Sequence, residues 1–402
     1  MTSLITGILS LGVLSGFGTS GGVQPERATA LVPEEVLRAC VVDGQGRAVP
    51  GAMVGTFLTR REGEPPGEGP FIASILAKIE APSTTTDRDG CLAIPGDALF
   101  YGEDDVREKA LIAMTPDAST MGMVRISRDS LGSTVRLTLE PVIRVVVSTR
   151  STSLEALGRS LEWSNVYVNL PGRLRVMGID SRTGTHEILL PPGEYELDVY
   201  GTETYSVKPA PTLRLAPGGE DVSLRADLPA TRLASLVGKP APELTTIKGW
   251  KNVEVAGGTP SGGVTLGDLR GKVVLLDFWG YWCGPCVHSM PALFDLHDRY
   301  HDKGLVIIAV HDDSVESIAD MDARLDEIRR TLWAGRDLPF AVALDGGGPT
   351  PIPDTDEFAR GATTASYGIQ AFPTQIIIDR DGTVVGRRRK GHADQLPALL
   401  DR

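Results

Sequence analysis

The feature that most constrains the fold is a change of pattern at Lys272. From that residue onward, continuous apolar runs such as VVLLDF and LVIIAV alternate with helical segments, predicted at Cys283–Tyr300 and Ser317–Trp333. Continuous apolar runs of this length are typical of strands that are buried on both faces of a sheet. Strands that alternate with helices indicate an α/β layered domain, so we predict one in the C-terminal part of the chain.

The upstream part of the chain has a different pattern. Short β-type segments, such as NVYVNL and GEYELDV, are separated by turns rich in Gly and Pro, and this is typical of all-β sandwiches. Because 402 residues exceed the length of one ordinary domain, we expect a multidomain protein. The predicted order is a candidate export signal and linker at 1–33, β-sandwich modules at 34–140 and 141–230, and the α/β domain at 236–402.

The stretch DFWGYWCGPCVHSMP places Cys283 and Cys286 three residues apart at the predicted start of a helix. Unpaired N–H groups and the helix dipole at that end favour a thiolate, so Cys283 is the predicted nucleophile. Cys286, one turn later, would resolve the mixed disulfide. Gly284 and Pro285 suit the tight entry into the helix, and Trp282 would shield the pair from solvent.

Asp277 interrupts the apolar strand six residues before Cys283. A carboxyl buried beneath the cysteines would have a raised pKa because of desolvation, and it could accept the proton of Cys286. The alternative is an aspartate at a strand end that faces solvent. Since the apolar run continues through Phe278 and Trp279, the sequence favours the buried carboxyl.

The string WCGPC resembles the thioredoxin active site. The order GKPAPEL, LGDLRGKVVLLDFW and YGIQAFPTQIIIDRDGTVVG is similar to the envelope thioredoxin-like disulfide reductases of the TlpA/ResA type, over about Leu236 to Arg402. The resemblance implies a thioredoxin fold, disulfide exchange with other proteins, and a cis Pro373 beside the cysteines that lets Phe372 pair with a substrate strand. The predicted substrate groove comprises Trp282, Gly284, Pro285, Phe372 and Thr374.

Three positions depart from that resemblance. Ser289 stands where the TlpA/ResA type often carries a Glu, and Leu305–His311 lacks the lysine that pairs with the buried Asp of thioredoxin. His288, two residues after Cys286, would either influence the thiolates or point to solvent, and we favour solvent. A peroxidase site is disfavoured, because the positions that would need Pro and Ser or Thr hold Leu276 and Gly280.

The segments VVDGQGRAVPGA and TTTDRDGCLAI resemble the carboxypeptidase-regulatory-like β-sandwich, and this resemblance implies a scaffold or binding role. Cys40 and Cys91 fall on two different predicted strands of this module. They would form either a structural disulfide, which fits an oxidising compartment, or two buried free thiols. The sequence leaves both alternatives open.

Several functions are disfavoured. A net charge of −12 argues against nucleic acid as a partner. His297 and His301 have a spacing that can chelate metal, but no third ligand accompanies them, so we interpret them as an exposed helical face. The sequence predicts no metal and no cofactor. The basic run Arg387–Lys390 is interpreted as a solvated strand end.

The apolar run Leu4–Phe17 resembles an export signal, although the first positive residue is Arg27. We expect export to the periplasm or cell envelope, with the cytoplasm as the alternative and membrane association only through this segment. The predicted function is a thiol:disulfide oxidoreductase that reduces protein disulfides and receives electrons from an upstream thiol reductant. The alternatives are a disulfide isomerase or oxidase on the same fold, and a scaffold or adhesion protein with an auxiliary redox domain. The insertion Asp345–Ala362 would either select the partner or form a plain surface loop.

Overall fold

A computed structural model describes residues 36–60, 85–100, 105–259, 262–388 and 394–401. The predicted segment 1–33 lies outside these residues. The upstream strands are β1 (Val36–Val42), β2 (Met53–Gly55), β3 (Leu58–Arg60), β4 (Cys91–Pro95), β5 (Lys109–Met114), β6 (Thr120–Ile126), β7 (Thr134–Thr138), β8 (Glu140–Pro141), β9 (Ile143–Arg150), β10 (Ser164–Leu170), β11 (Leu174–Ser181), β12 (Thr185–Leu190), β13 (Gly193–Gly201), β14 (Thr212–Leu215) and β15 (Val222–Asp227). Three short helices accompany them: α1 (Gly96–Leu99), α2 (Thr152–Ala156) and α3 (Arg232–Leu236).

The first block is a sandwich of two sheets, with strand orders β4-β1-β7 and β2-β5-β6-β8. Its core lies between them and includes Leu37, Val54, Ile94, Leu111 and Leu137. The alternation of buried and less buried residues along β1 reflects one face turned to this core. The all-β character predicted for this block is confirmed.

The strand β5 belongs to two cores. Leu111 faces the first core, whereas Ala110, Ile112 and Met114 pack into a second cluster with the sheets β14-β13-β10-β11-β3 and β12-β9-β15. In addition, β3 pairs with β11 across the two blocks. The predicted boundary near residue 140 stays a prediction, and the two blocks share one hydrophobic cluster.

The C-terminal part is α/β, as predicted. Its strands are β16 (Gly249–Lys251), β17 (Val273–Trp279), β18 (Leu305–His311), β19 (Ala341–Leu344), β20 (Pro349–Pro351), β21 (Phe358–Arg360), β22 (Thr374–Ile378) and β23 (Val384–Arg387). Its helices are α4 (Gly284–Tyr300), α5 (Ile318–Thr331), α6 (Ala362–Ser366) and α7 (Leu396–Leu400). One mixed sheet has the order β16-β19-β18-β17-β22-β23, in which β17, β18 and β19 run parallel.

The central strand β17 is buried along its whole length because both faces of this sheet are covered. Val273, Leu275 and Trp279 pack into the same cluster as the cysteines of α4, while Leu276 and Phe278 pack on the opposite face. This alternation decides which side chains can lie beneath the cysteine pair.

The insertion Asp345–Ala362 forms the hairpin β20–β21 rather than an irregular loop. Two ion pairs connect it to the upstream part of the chain, Glu357 with Lys208 and Asp354 with Arg232. The suggestion that it selects a partner stays a prediction. Within the described ranges, every helix is too short or too polar to cross a membrane.

Candidate active site

Cys283 and Cys286 form a disulfide at the amino-terminal end of α4, with their Cα atoms 5.2 Å apart. Cys283 caps the helix: its sulfur accepts a hydrogen bond from the backbone N–H of Cys286 at 3.2 Å. Cys283 is 5% exposed and Cys286 is fully buried. In the reduced protein, the unpaired N–H groups and the helix dipole favour a thiolate on Cys283. Cys283 is therefore the more accessible of the two cysteines, and its role as nucleophile stays a prediction.

Asp277 is buried, with 1% of its surface exposed, so the alternative of a solvent-facing strand end is wrong. It occupies the face of β17 that Leu275 and Trp279 share, which is the face covered by the cysteine helix. One of its carboxylate oxygens accepts a hydrogen bond of 2.9 Å from the side-chain amide of Gln375 on β22. The predicted carboxyl is thus on the cysteine side of the sheet, and its hydrogen-bond donor is a residue that the sequence analysis did not single out.

The predicted groove residues differ in exposure. Trp282 is 53% exposed, and Gly284 and Pro285 are also exposed at the start of α4. The Trp282 ring meets the ring of Phe372 edge to face, with centroids 5.9 Å apart. The Phe372–Pro373 bond is cis, as the resemblance implied.

Thr374 lies behind this surface. It is buried, and its hydroxyl donates to the backbone carbonyl of Ala371 at 2.8 Å. The structure therefore brings the exposed Trp282 and the partly buried Phe372 together, whereas Thr374 supports the loop from inside.

A second pair of polar residues holds the loop that precedes Cys283. The Nε2 atom of His311 accepts the backbone N–H of Tyr281 at 3.0 Å, and its Nδ1–H donates to the carbonyl of Asp312 at 2.8 Å. The Asp312 carboxylate accepts the indole N–H of Trp282 at 3.1 Å. Burial lowers the pKa of His311, so its ring stays neutral and keeps Nε2 as an acceptor. The signal that could have revealed this pair is the polar HDD that ends the apolar run LVIIAV.

The interpretation of Arg387–Lys390 as a solvated strand end is wrong at Arg388, while Lys390 lies outside the described residues. The Arg388 side chain is only 12% exposed and pairs with Asp394 at 2.6 Å. Another of its guanidinium N–H groups donates to the side-chain carbonyl of Gln375 at 3.0 Å. The charge pattern alone could not separate the mostly buried Arg388 from its exposed neighbour Arg387.

His288 is exposed, as expected, and its ring nitrogen contacts the carbonyl of Gly284 at 2.8 Å. The interpretation of His297 and His301 as an exposed face is wrong for His297, which is only 9% exposed. The two rings stack with centroids 4.7 Å apart. Among the described residues, no group of three or more potential ligands is arranged to hold a metal ion.

Cys40 and Cys91 form a disulfide, which decides between the two alternatives left open by the sequence. They stand directly opposite each other on the antiparallel strands β1 and β4. This bond lies in the upstream sheets and connects residues separated by 51 positions.

Residues 236–395 match the Redoxin family. The chain is similar to the thiol-disulfide oxidoreductase ResA of Bacillus thuringiensis subsp. konkukian (strain 97-27), with 33% identity over 122 residues that represent 30% of this chain and 57% of ResA. It is also similar to the thioredoxin-like protein YneN of Bacillus subtilis (strain 168), with 31% identity over 33% of this chain and 66% of YneN. The matched region therefore spans about half to two thirds of the length of these relatives.

Among solved structures, a putative thiol:disulfide interchange protein DsbE from Chlorobium tepidum is 29% identical, and the match covers 41% of this chain and 94% of that chain with a TM-score of 0.29. The resemblance of the first β block to the carboxypeptidase-regulatory-like sandwich stays a prediction. The resemblance to thioredoxin-like disulfide reductases is confirmed for the C-terminal part. That part of the chain, from residue 236 to 395, contains a Redoxin domain.

Proposed function

We propose that this protein is a thiol:disulfide oxidoreductase that reduces disulfides in other proteins. The observation that carries the proposal is the arrangement of Cys283 and Cys286 at the start of α4, with the buried Asp277 on the same face of the sheet. A nucleophile activated by a helix end and a buried proton acceptor are the two groups that thiol–disulfide exchange requires.

In the proposed reaction, the thiolate of Cys283 attacks one sulfur of the substrate disulfide. A bond forms between Cys283 and that sulfur, the substrate S–S bond breaks, and the second substrate sulfur leaves as a thiol after taking up a proton. Cys286 then gives its proton to Asp277 and attacks the sulfur of Cys283. The mixed disulfide breaks, the first substrate sulfur leaves and is protonated, and the enzyme carries the Cys283–Cys286 disulfide. Two electrons have passed from the dithiol to the substrate.

The substrate strand is proposed to bind across the exposed surface formed by Trp282, Phe372 and the start of α4 at Gly284 and Pro285. Trp282 supplies a large apolar ring with a fixed indole N–H, because Asp312 holds that group. Exposed aromatic side chains of this kind are favoured at protein–protein contacts. This surface supports a protein rather than a small disulfide as the substrate.

Each turnover leaves the enzyme oxidised, so an upstream thiol reductant must return two electrons to it. We also propose that the protein works in an oxidising compartment, the periplasm or cell envelope. The Cys40–Cys91 disulfide supports this, because such bonds persist mainly outside the reducing cytosol.

The proposal is tested by following insulin disulfide reduction with dithiothreitol as electron donor. We expect the full chain to accelerate the reaction and Cys283→Ser to reduce the rate to that of dithiothreitol alone. Equal rates for both proteins would contradict the proposal. Equilibration of the dithiol against thiol buffers separates the alternatives: a potential near about −270 mV indicates a reductase, and one above about −180 mV indicates an isomerase or oxidase.

A further inference from the structure

Behind the cysteine pair, a chain of hydrogen-bonded side chains runs from the sheet interior to its edge. Asp277 accepts from the amide N–H of Gln375 at 2.9 Å, and the carbonyl of Gln375 accepts from Arg388 at 3.0 Å. Arg388 in turn is held by Asp394 through several hydrogen bonds of 2.6–3.2 Å. We call this chain the relay; it comprises the side chains of Asp277, Gln375, Arg388 and Asp394.

The fold fixes the order of this relay. Gln375 is directly opposite Asp277 in the antiparallel pairing of β17 with β22, and the backbone N–H of Arg388 donates to the carbonyl of Gln375 at 2.8 Å. Gln375 is 5% exposed, and the Arg388 side chain is 12% exposed. Water therefore has little access to these contacts, so their electrostatic effect is stronger than that of a surface ion pair.

Hydrogen-bond donors and acceptors limit which residue can stand between Asp277 and Arg388. A carboxylate only accepts hydrogen bonds and a guanidinium only donates them, so the residue between them must offer both kinds of group. Glutamine does so, with its N–H directed at Asp277 and its carbonyl directed at Arg388. A glutamate at this position would place a second negative charge beside Asp277, and a leucine would interrupt the contact.

We propose that Gln375 and Arg388 are positioning residues that hold Asp277 as a carboxylate, ready to accept the proton of Cys286. Hydrogen bonds donated to a carboxylate favour its charged form, and burial opposes it. At Asp277 the relay supplies the hydrogen bond that favours the charged form, and the sheet interior supplies the burial that opposes it. This inference rests on the proposed function, because it concerns the proton acceptor of the resolving step.

In the described part of the chain, strand β18 and helix α4 also pack against the Asp277 side of β17. The residue opposite it on β18 is Ala309, and the covering helix α4 contributes Cys283 and Cys286 on this face. His311, further along β18, is kept neutral because burial lowers its pKa. Arg388 is a cationic side chain that reaches Asp277 through a hydrogen-bonded partner, Gln375.

The test compares Arg388→Gln and Gln375→Leu with a matched control, Arg387→Gln. Arg387 is the exposed neighbour of Arg388, so the control removes the same charge from the same strand end. Arg388→Lys keeps the positive charge, so we expect its results to lie between those of the wild type and of Arg388→Gln. Thermal melting identifies any variant that is not folded, and the remaining variants then decide the outcome.

The first readout is independent of catalysis. Infrared spectroscopy of the oxidised full chain follows the carboxyl band of Asp277 against pH, assigned by its loss in Asp277→Asn. We expect Arg388→Gln and Gln375→Leu to move the titration of this band to higher pH, and Arg387→Gln to leave it in place. An unmoved titration in both relay variants would overturn the proposal, even if the protein reduces insulin.

The second readout is the resolving step itself. The reduced protein is mixed with saturating oxidised glutathione, and its oxidation is followed by tryptophan fluorescence. At pH 7 we expect Arg388→Gln to resolve about three- to tenfold more slowly, with the difference shrinking as the pH rises. Equal slowing at every pH would assign Arg388 a merely structural role. Failure of the wild-type protein to reduce insulin would contradict the proposed function, while the infrared titration would still decide on the relay.

Discussion

The two disulfides of this protein have the same covalent bond and opposite surroundings. Cys40 and Cys91 face each other across two antiparallel strands and connect residues 51 positions apart. Cys283 and Cys286 are three positions apart at the start of a helix. Among the residues that the structure describes, only the second pair has a helix end to stabilise a thiolate and a buried carboxylate on the same face of its sheet. The reactivity of a cysteine pair is therefore set by the groups that surround it and not by the disulfide bond itself.

The largest expected difference between the two pairs is in activity. Cys283→Ser should lower insulin reduction to the uncatalysed level, because it removes the nucleophile. The double variant Cys40→Ser/Cys91→Ser, which changes the same atoms in the upstream sheet, should keep the rate of the wild type. A comparable loss of activity in both variants would contradict the assignment of one pair as reactive and the other as structural.

The next difference is in stability. Removal of the Cys40–Cys91 bond opens a loop of 51 positions and should lower the free energy of unfolding of the upstream sheets by about 2–4 kcal/mol. Denaturant titration monitored by circular dichroism measures this loss. Cys283→Ser/Cys286→Ser should leave the upstream transition unchanged, since its loop is short and lies in the other part of the chain.

The variant Asp277→Asn tests the buried carboxyl that lies on the same face of the sheet as the reactive pair. We expect the resolving step to slow by roughly 100-fold at pH 7, because the variant cannot accept the proton of Cys286. Stopped-flow fluorescence with oxidised glutathione measures the rate. Asp381→Asn is the control, since Asp381 is an exposed aspartate in the turn between β22 and β23. An unchanged rate in Asp277→Asn would remove this carboxyl from the mechanism.

The smallest expected effect concerns pH and the loop before Cys283. Burial lowers the pKa of His311 below its ordinary 6.5, so the unfolded chain binds this proton at a higher pH than the folded one. Its contribution to stability is therefore complete above pH 6.5 and is lost as the pH falls towards the folded pKa. The slope for one proton is at most about 1.4 kcal/mol per pH unit.

His311→Gln should flatten the slope of the free energy of unfolding against pH. This slope is measured from denaturation midpoints between about pH 7 and pH 5, the range in which histidine titrates. His288→Gln serves as the control because His288 is exposed. The same slope in the wild type and in His311→Gln would show that another group controls stability in this range.

Much of the C-terminal part was predictable because its signals are local. The continuous apolar runs predicted β17 and β18, and the CGPC string predicted a helix that begins at the cysteines. An aspartate inside an apolar strand indicated a buried carboxyl, and Asp277 is buried. Each of these inferences needed only neighbouring residues and the periodicity of one element.

Other features depend on which strands become neighbours. Gln375 contacts Asp277 because β22 pairs with β17, and the two residues are almost a hundred positions apart in the sequence. The strand β5 is buried on both faces because a second block of sheets covers it. Composition alone could not reveal either contact.

The sequence by itself determined the two fold classes, the reactive cysteines and the buried acid, because these follow from short-range patterns and from the chemistry of a helix end. Only the tertiary structure decided that Cys40 meets Cys91, that the Arg388 side chain is mostly buried, and that Gln375 joins it to Asp277. The physical reason is that hydrogen bonds and disulfides require contact, and contacts between distant residues are set by strand order and register.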